Sequence, residues 1–149
     1  MSNRKFSSVL RSKGGFTLIE ILVVVTVIAI LAALVGPSVF RHLGRAKDAA
    51  ARSQMEMLGA ALDAYRLDNG RYPTTAQGLE ALRTEPTAEP QPRNWQGPYL
   101  RKAVPPDPWG NPYSYTSPGE HNPGSYDLLT YGADGAVGGE GEDADIRAW

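Results

Sequence analysis

Apolar residues fill positions 16 to 35 almost without interruption. This run of 20 residues is broken only by Thr17, Glu20 and Thr26. At about 1.5 Å per helical residue it reaches roughly 30 Å, the thickness of a bilayer's hydrocarbon core. The core helix of a soluble protein carries a polar stripe, whereas this run is apolar all round. It predicts a membrane-spanning helix over 16–36. Pro37 then marks the exit from the membrane or a kink.

Past Pro37 the pattern turns amphipathic. Met55, Leu58, Leu62 and Tyr65 recur at spacings of three and four, while Arg41, Arg45, Asp48, Arg52 and Glu56 fall largely off that stripe. Alanines at 46, 49, 50, 51, 60, 61 and 64 favour helix intrinsically. Residues 38–68 therefore predict a continuation of the helix, with its stripe against a domain core. Asp68-Asn69-Gly70 and Pro73 stop it. Thr74 to Leu82 predicts a short second helix capped by Thr74 or Thr75, and Thr74 with Gln77 has capping-box spacing.

From Glu85 to Pro112 eight prolines exclude regular helix and central strand. Trp95, Tyr99, Leu100 and Trp109 lie among them, and disordered segments are poor in aromatics. The stretch predicts an ordered loop, with a turn at Asp107–Pro112. Two short strands follow, over 113–116 and 126–131. Two strands are marginal alone, so they must pack on the long helix or join a third. The fold class expected is α+β.

Charge sets the orientation. Arg4, Lys5, Arg11 and Lys13 precede the apolar run, and residues 1–15 hold no acid. Basic flanks stay cytoplasmic, which sends residues 37–149 outside, into the periplasm of a Gram-negative cell. A secretory signal has its small-residue cleavage site after the apolar region. Here Gly14 and Gly15 come before it, so cutting there leaves the helix on the mature protein. Loss of the four basic residues of 1–15 takes the side-chain net charge from −1 to −5, which argues against nucleic-acid binding. Glu20 is a carboxylate inside a membrane segment, costly without a partner or a task.

The chain has no cysteine. A small exported domain often needs a staple, and a metal is the usual substitute for a disulfide. Residues 131–146 offer one candidate. Asp134, Glu140, Glu142, Asp143 and Asp145 supply hard oxygens among five glycines. Such donors suit Ca2+ better than Zn2+, although the spacing is not that of an EF-hand. By composition alone the stretch is also a solvated acidic tail. Ile146 and Trp149 beyond it suggest that the chain is tied back to a core.

The motif Gly15-Phe16-Thr17-Leu18-Ile19-Glu20 resembles the processing site of type IV pilins and of the pseudopilins of type II secretion. The resemblance implies a cleaved leader over 1–15, cut between Gly15 and Phe16 by a prepilin peptidase, and N-methylation of the Phe16 amine. It implies that Glu20 neutralises the N-terminal amine of a neighbouring subunit. Tyr72-Pro73-Thr74-Thr75-Ala76-Gln77-Gly78-Leu79, Asp107-Pro108-Trp109-Gly110-Asn111-Pro112-Tyr113 and Gly132-Ala133-Asp134-Gly135 extend the resemblance to the G-type major pseudopilins over nearly the whole mature chain.

That family implies a pilin-like fold, a long helix packed on a small antiparallel sheet. It implies calcium in the last loop, with Asp134, Asp143 and Asp145 as ligands, the Tyr131 carbonyl beside them, and Glu140 or Glu142 as substitutes. It implies a non-catalytic subunit in the inner membrane. The subunit polymerises with itself into a pseudopilus that exports folded periplasmic proteins. Its partners are minor pseudopilins, an inner-membrane platform and ATPase, the outer-membrane secretin channel and the lipid bilayer. The rival readings are a type IV pilus subunit for adhesion, motility or DNA uptake, and an anchored enzyme or solute-binding module. No catalytic constellation stands out: the sequence sets no plausible catalytic partner beside either histidine, and no phosphate-binding loop opens a helix.

Overall fold

The computed structural model describes residues 15–149. The basic segment 1–14 lies outside the described residues. Contacts divide the chain into two units that meet between Phe40 and Arg41.

Helix α1 spans Leu18–Asn69, 52 residues. In the first unit its stretch Leu18–Gly36 has a mean hydropathy of 3.1 and none of it is buried. Leu22, Val25, Ile28 and Leu34 are all exposed, as a helix that meets hydrocarbon requires. Thr26 remains compatible with that solvent because its hydroxyl donates to the Leu22 carbonyl at 2.7 Å.

In the second unit one face of α1 turns inward. Ala51, Met55, Leu58, Leu62 and Tyr65 are buried, at the spacing the sequence predicts. They share one core with Leu79, Leu82, Leu100, Tyr113, Tyr115, Leu128 and Ile146. Gly59 lets Tyr126 close on the helix: a Cβ there would sit 2.9 Å from the Tyr126 hydroxyl. The stop also falls as expected. Gly70 takes φ 75° and its N–H reaches the Arg66 carbonyl at 2.7 Å, while the buried Asn69 amide donates to the Tyr65 carbonyl.

The predicted helix over 74–82 is only partly formed. Gln77 N–H donates to Thr74 Oγ1 at 3.2 Å and Thr74 N–H donates to Gln77 Oε1 at 3.0 Å, a closed capping box. Gly78 then takes φ 63° and ψ −170°, outside helical values. The box therefore caps a single turn, and a separate 3-10 helix occupies Leu79–Leu82.

The proline-rich stretch holds no α-helix or strand and is pinned through its carbonyls. Gln77 Nε2 donates to Ala88 and Pro90, Arg71 Nη2 to Pro90 and Gln91, and Trp95 Nε1 bonds back to Ala81. Tyr99 stands edge-on to Tyr65 and Trp95, with ring centroids 5.5 and 5.9 Å away.

Three strands form one antiparallel sheet in the order β1 (Ser114–Thr116), β2 (Asp127–Thr130), β3 (Ile146–Arg147). Both predicted strands are shorter than expected. Tyr113, Tyr126 and Tyr131 lie outside the ladder, and the first two spend their rings on the core side instead. The third strand comes from beyond the acidic loop and pairs Ile146 with Thr130. Tyr115 hydroxyl donates to the Pro73 carbonyl at 2.7 Å, and burial pushes its phenol up, so it stays a neutral donor.

Two leucines on α1 test this burial pattern. Leu62 is fully buried and Leu67 is 86% exposed. Leu62→Ala is expected to cost about 2–5 kcal/mol, and Leu67→Ala less than about 0.5. Denaturant melts of the full chain in detergent would read both; equal losses would refute the assignment of the core face.

Candidate functional site

Two regions carry chemistry. The first is the start of α1. Gly15 and Phe16 precede the helix and are exposed, with Phe16 at 77%. Thr17 is the cap. Its hydroxyl accepts the Glu20 N–H at 3.3 Å and its carbonyl accepts the same group at 3.1 Å. Glu20 therefore sits in the first turn, where a carboxylate faces the unpaired N–H groups of a helix start. The role of Thr17 escaped the sequence reading, although Thr17-x-x-Glu20 has the spacing of a capping box.

The second is the acidic loop between β2 and β3. It is a closed structure. Ala133 N–H donates to the Glu142 carbonyl at 2.8 Å, so the loop's two ends touch. Gly132 makes that approach possible: it takes φ 67°, and a Cβ there would lie 2.6 Å from the Glu142 carbonyl oxygen.

The expected ligands are engaged within the loop. Asp134 Oδ1 accepts the Ala136 N–H at 3.0 Å. Asp145 Oδ1 accepts the Gly138 N–H at 3.0 Å, and its Oδ2 pairs with Arg147 at 3.2 Å. Asp143 is exposed and Tyr131 is half-buried. Among the described residues no three acidic, histidine or cysteine side chains gather closely enough to hold a metal ion. The donor types fit Ca2+; in this arrangement they are spread along the loop rather than converged. Glu140 is exposed. Glu142, weighed as a substitute ligand, has a different partner set: Lys47 Nζ at 3.3 Å and Trp109 Nε1 at 3.1 Å both point at its Oε2. Those bonds, the indole first, hold its carboxyl below the usual range.

Asp107 organises the base of this loop. It is buried, and its Oδ1 accepts the N–H groups of Trp109 (3.0 Å) and Asn111 (2.8 Å). Its Oδ2 accepts the Thr130 hydroxyl, whose oxygen in turn accepts the Gly132 N–H at 3.2 Å. Asn111 Nδ2 completes the link by donating to the Gly132 carbonyl at 2.8 Å. The turn at 107–112 was legible from its residues; the tie from its first residue to β2 was not.

A family model described as the type II secretion system protein G matches residues 38–149, and one described as the prokaryotic N-terminal methylation motif matches residues 10–36. The type II secretion system core protein G of Pseudomonas aeruginosa is 52% identical over 139 residues, 93% of this chain and 96% of that protein. The chain belongs to the type II secretion system protein G family. The corresponding protein of Vibrio cholerae is 49% identical over 141 residues, 94% of each chain. The crystal structure of the major pseudopilin of enterohaemorrhagic Escherichia coli aligns with a TM-score of 0.61 at 42% identity, over 70% of this chain and 88% of that one. The long helix and small antiparallel sheet are thus the pseudopilin fold.

One further charged group in this protein G chain is set by its surroundings. Asp127 opens β2 and is buried. Burial alone would push its carboxyl up. Bonds from the backbone and ring of His121, at 2.8 and 3.0 Å, and from the backbone and amide of Asn122, both at 3.1 Å, outweigh that and lower it from its ordinary 3.8. A depressed folded value stabilises the fold above pH 3.8, and that contribution disappears as pH falls through the lower folded value. In thermal melts of the full chain, wild type should lose stability in this acid window. Asp127→Asn should start less stable at neutral pH and lose less there. Parallel losses in both proteins would remove Asp127 from the account.

Proposed function

We propose that this chain is a structural subunit of the type II secretion pseudopilus, held in the membrane by residues 16–36 and polymerised through α1. The observation that carries the reading is an exposed apolar helix start with Glu20 in its first turn, in a chain matched over 93% of its length by a core protein G. An unpaired carboxylate in hydrocarbon is costly. Cleavage between Gly15 and Phe16 creates an amine four residues before Glu20, and the amine of an adjacent subunit neutralises that carboxylate during bundling. Contacts that repeat head to tail without closing generate a filament.

The proposal has finer parts, which the likeness to core protein G supports without testing. A prepilin peptidase cuts at Gly15 and the Phe16 amine is methylated. The domain beyond residue 36 lies in the periplasm, anchored in the inner membrane. The partners are minor pseudopilins, the assembly platform and ATPase, and the secretin channel. The subunit itself performs no catalysis. The loop at 131–145 takes Ca2+ through Asp134, Asp143, Asp145 and the Tyr131 carbonyl, supported by the hard-oxygen chemistry of those groups.

Two experiments test these statements. In cells lacking the native subunit, Glu20→Val should be processed and N-methylated normally, as read by intact mass. It should leave secretion and filament assembly at background. Gly15→Val should instead retain the leader. Secretion by Glu20→Val at the wild-type level would refute the assembly role. For the ion, at a free concentration 100 times the dissociation constant the full chain should gain about 2.7 kcal/mol over its chelated form. Asp134→Ala should lose that gain, and magnesium should not supply it.

A further inference from the structure

We infer that α1 carries a second contact face past its apolar half, a seam over 43–67 that receives the apolar half of α1 from another copy of the chain. The inference deepens the reading that subunits polymerise through α1, and it rests on that reading. The face that α1 buries in its own domain is the stripe of Met55, Leu58, Leu62 and Tyr65. A different set of positions, Ala50, Ser53, Met57, Ala60, Ala64 and Leu67, recurs at alternating spacings of three and four. Leu43 and Ala46 continue the same register toward the helix start. Ala64 is half-buried and the others are exposed, with Leu43 at 51%, Met57 at 46% and Leu67 at 86%.

Single exposed apolar side chains are ordinary on a protein surface, whereas a contiguous apolar face marks a contact. The mean spacing here is 3.5 residues, the repeat of helix packed on helix. No seam position is charged, and the exposed carboxylates of Glu56 and Asp63 border it on one side. The small side chains between Leu43, Met57 and Leu67 let a second backbone approach closely. Met57 is unbranched and adapts its shape to whatever helix lies against it.

Such a seam takes a helix that is apolar and nearly free of charge. Among the described residues the stretch Leu18–Gly36 meets that requirement: none of it is buried within its own chain, and its one charge is Glu20 in the first turn. Hydrocarbon covers this stretch while a subunit stays in the bilayer. A subunit drawn into a filament loses that cover and needs a protein surface in its place. The lengths agree, since α1 advances about 36 Å from Leu43 to Leu67 and about 27 Å from Leu18 to Gly36. Seam and occupant are different parts of the same helix, so the contact is not self-complementary. Repeated from copy to copy, it builds an open series instead of a closed dimer.

The chain has no cysteine, so introduced pairs report the contact directly. In filament-forming cells, Val27→Cys or Leu31→Cys is combined in one chain with Ala50→Cys, Met57→Cys or Leu67→Cys, and the filaments are oxidised. At least one of these combinations should give a covalent ladder of multimers, while each single variant stays monomeric. Arg52→Cys, on the charged side of α1, should give no ladder with either partner. Met57→Glu should melt like wild type, because Met57 lies outside the domain core, yet yield at least about ten-fold less filament, the effect of burying one unpaired charge. Met57→Leu keeps the apolar contact and should restore the yield. Filaments without a seam ladder, dimers of the single Met57→Cys variant, or full assembly by Met57→Glu would each overturn the seam. Absence of filaments from the wild-type chain would instead remove polymerisation through α1, and the seam with it.

Discussion

One helix in two solvents is the constraint on which the rest of this structure depends. Residues 18–36 have no buried side, because hydrocarbon accepts apolar groups in every direction. From Ala51 to Tyr65 the same helix must supply one apolar face and leave the others polar. A domain of this size has little core beyond that face. Leu58, Leu62 and Tyr65 consequently share one core with almost every later segment: the 3-10 turn through Leu79 and Leu82, the proline-rich loop through Tyr99 and Leu100, and the sheet through Tyr115, Leu128 and Ile146.

The sheet is too small to be independent, and its stability comes from side-chain wiring at its ends. Asp107 and Thr130 join the 107–112 turn to β2, Asn111 and Gly132 join that turn to the acidic loop, and Glu142 joins the loop to Lys47 on α1. The chain has no disulfide to do this work. Hydrogen bonds to an ionised carboxylate, as at Asp107 and Glu142, are stronger than neutral ones, which suits those two residues to the role.

Much of this was readable from the sequence where one period or one residue type decides the outcome. The helix and its stop were legible because a 3.6-residue stripe and an Asn-Gly-Pro cluster leave few alternatives. The N-terminal methylation motif matched over residues 10–36 was legible because Gly15 precedes the apolar run instead of following it. The strands were overlong in the reading because Tyr113, Tyr126 and Tyr131 have strand-forming side chains, and nothing local says that two of those rings pack sideways. The helix over 74–82 was broken by Gly78, whose positive φ a sequence does not announce. Asp107 and Lys47 were missed as organising residues for a shared reason. Each acts on a group far along the chain, Thr130 for Asp107 and Glu142 for Lys47, and such long-range contacts leave no spacing rule to read.

The order of the strands in the chain has a consequence for how the molecule is made. The apolar stripe of α1 is synthesised early, whereas Leu128 and Ile146, which cover it, are added long afterwards. Domains assemble from the N-terminal side as the chain emerges, yet here the core around the first element is completed only when the last strand arrives. That helix face stays incomplete in the growing chain and is closed only after the acidic loop has been made. Completion of the core is thereby tied by topology to the last strand of the sheet.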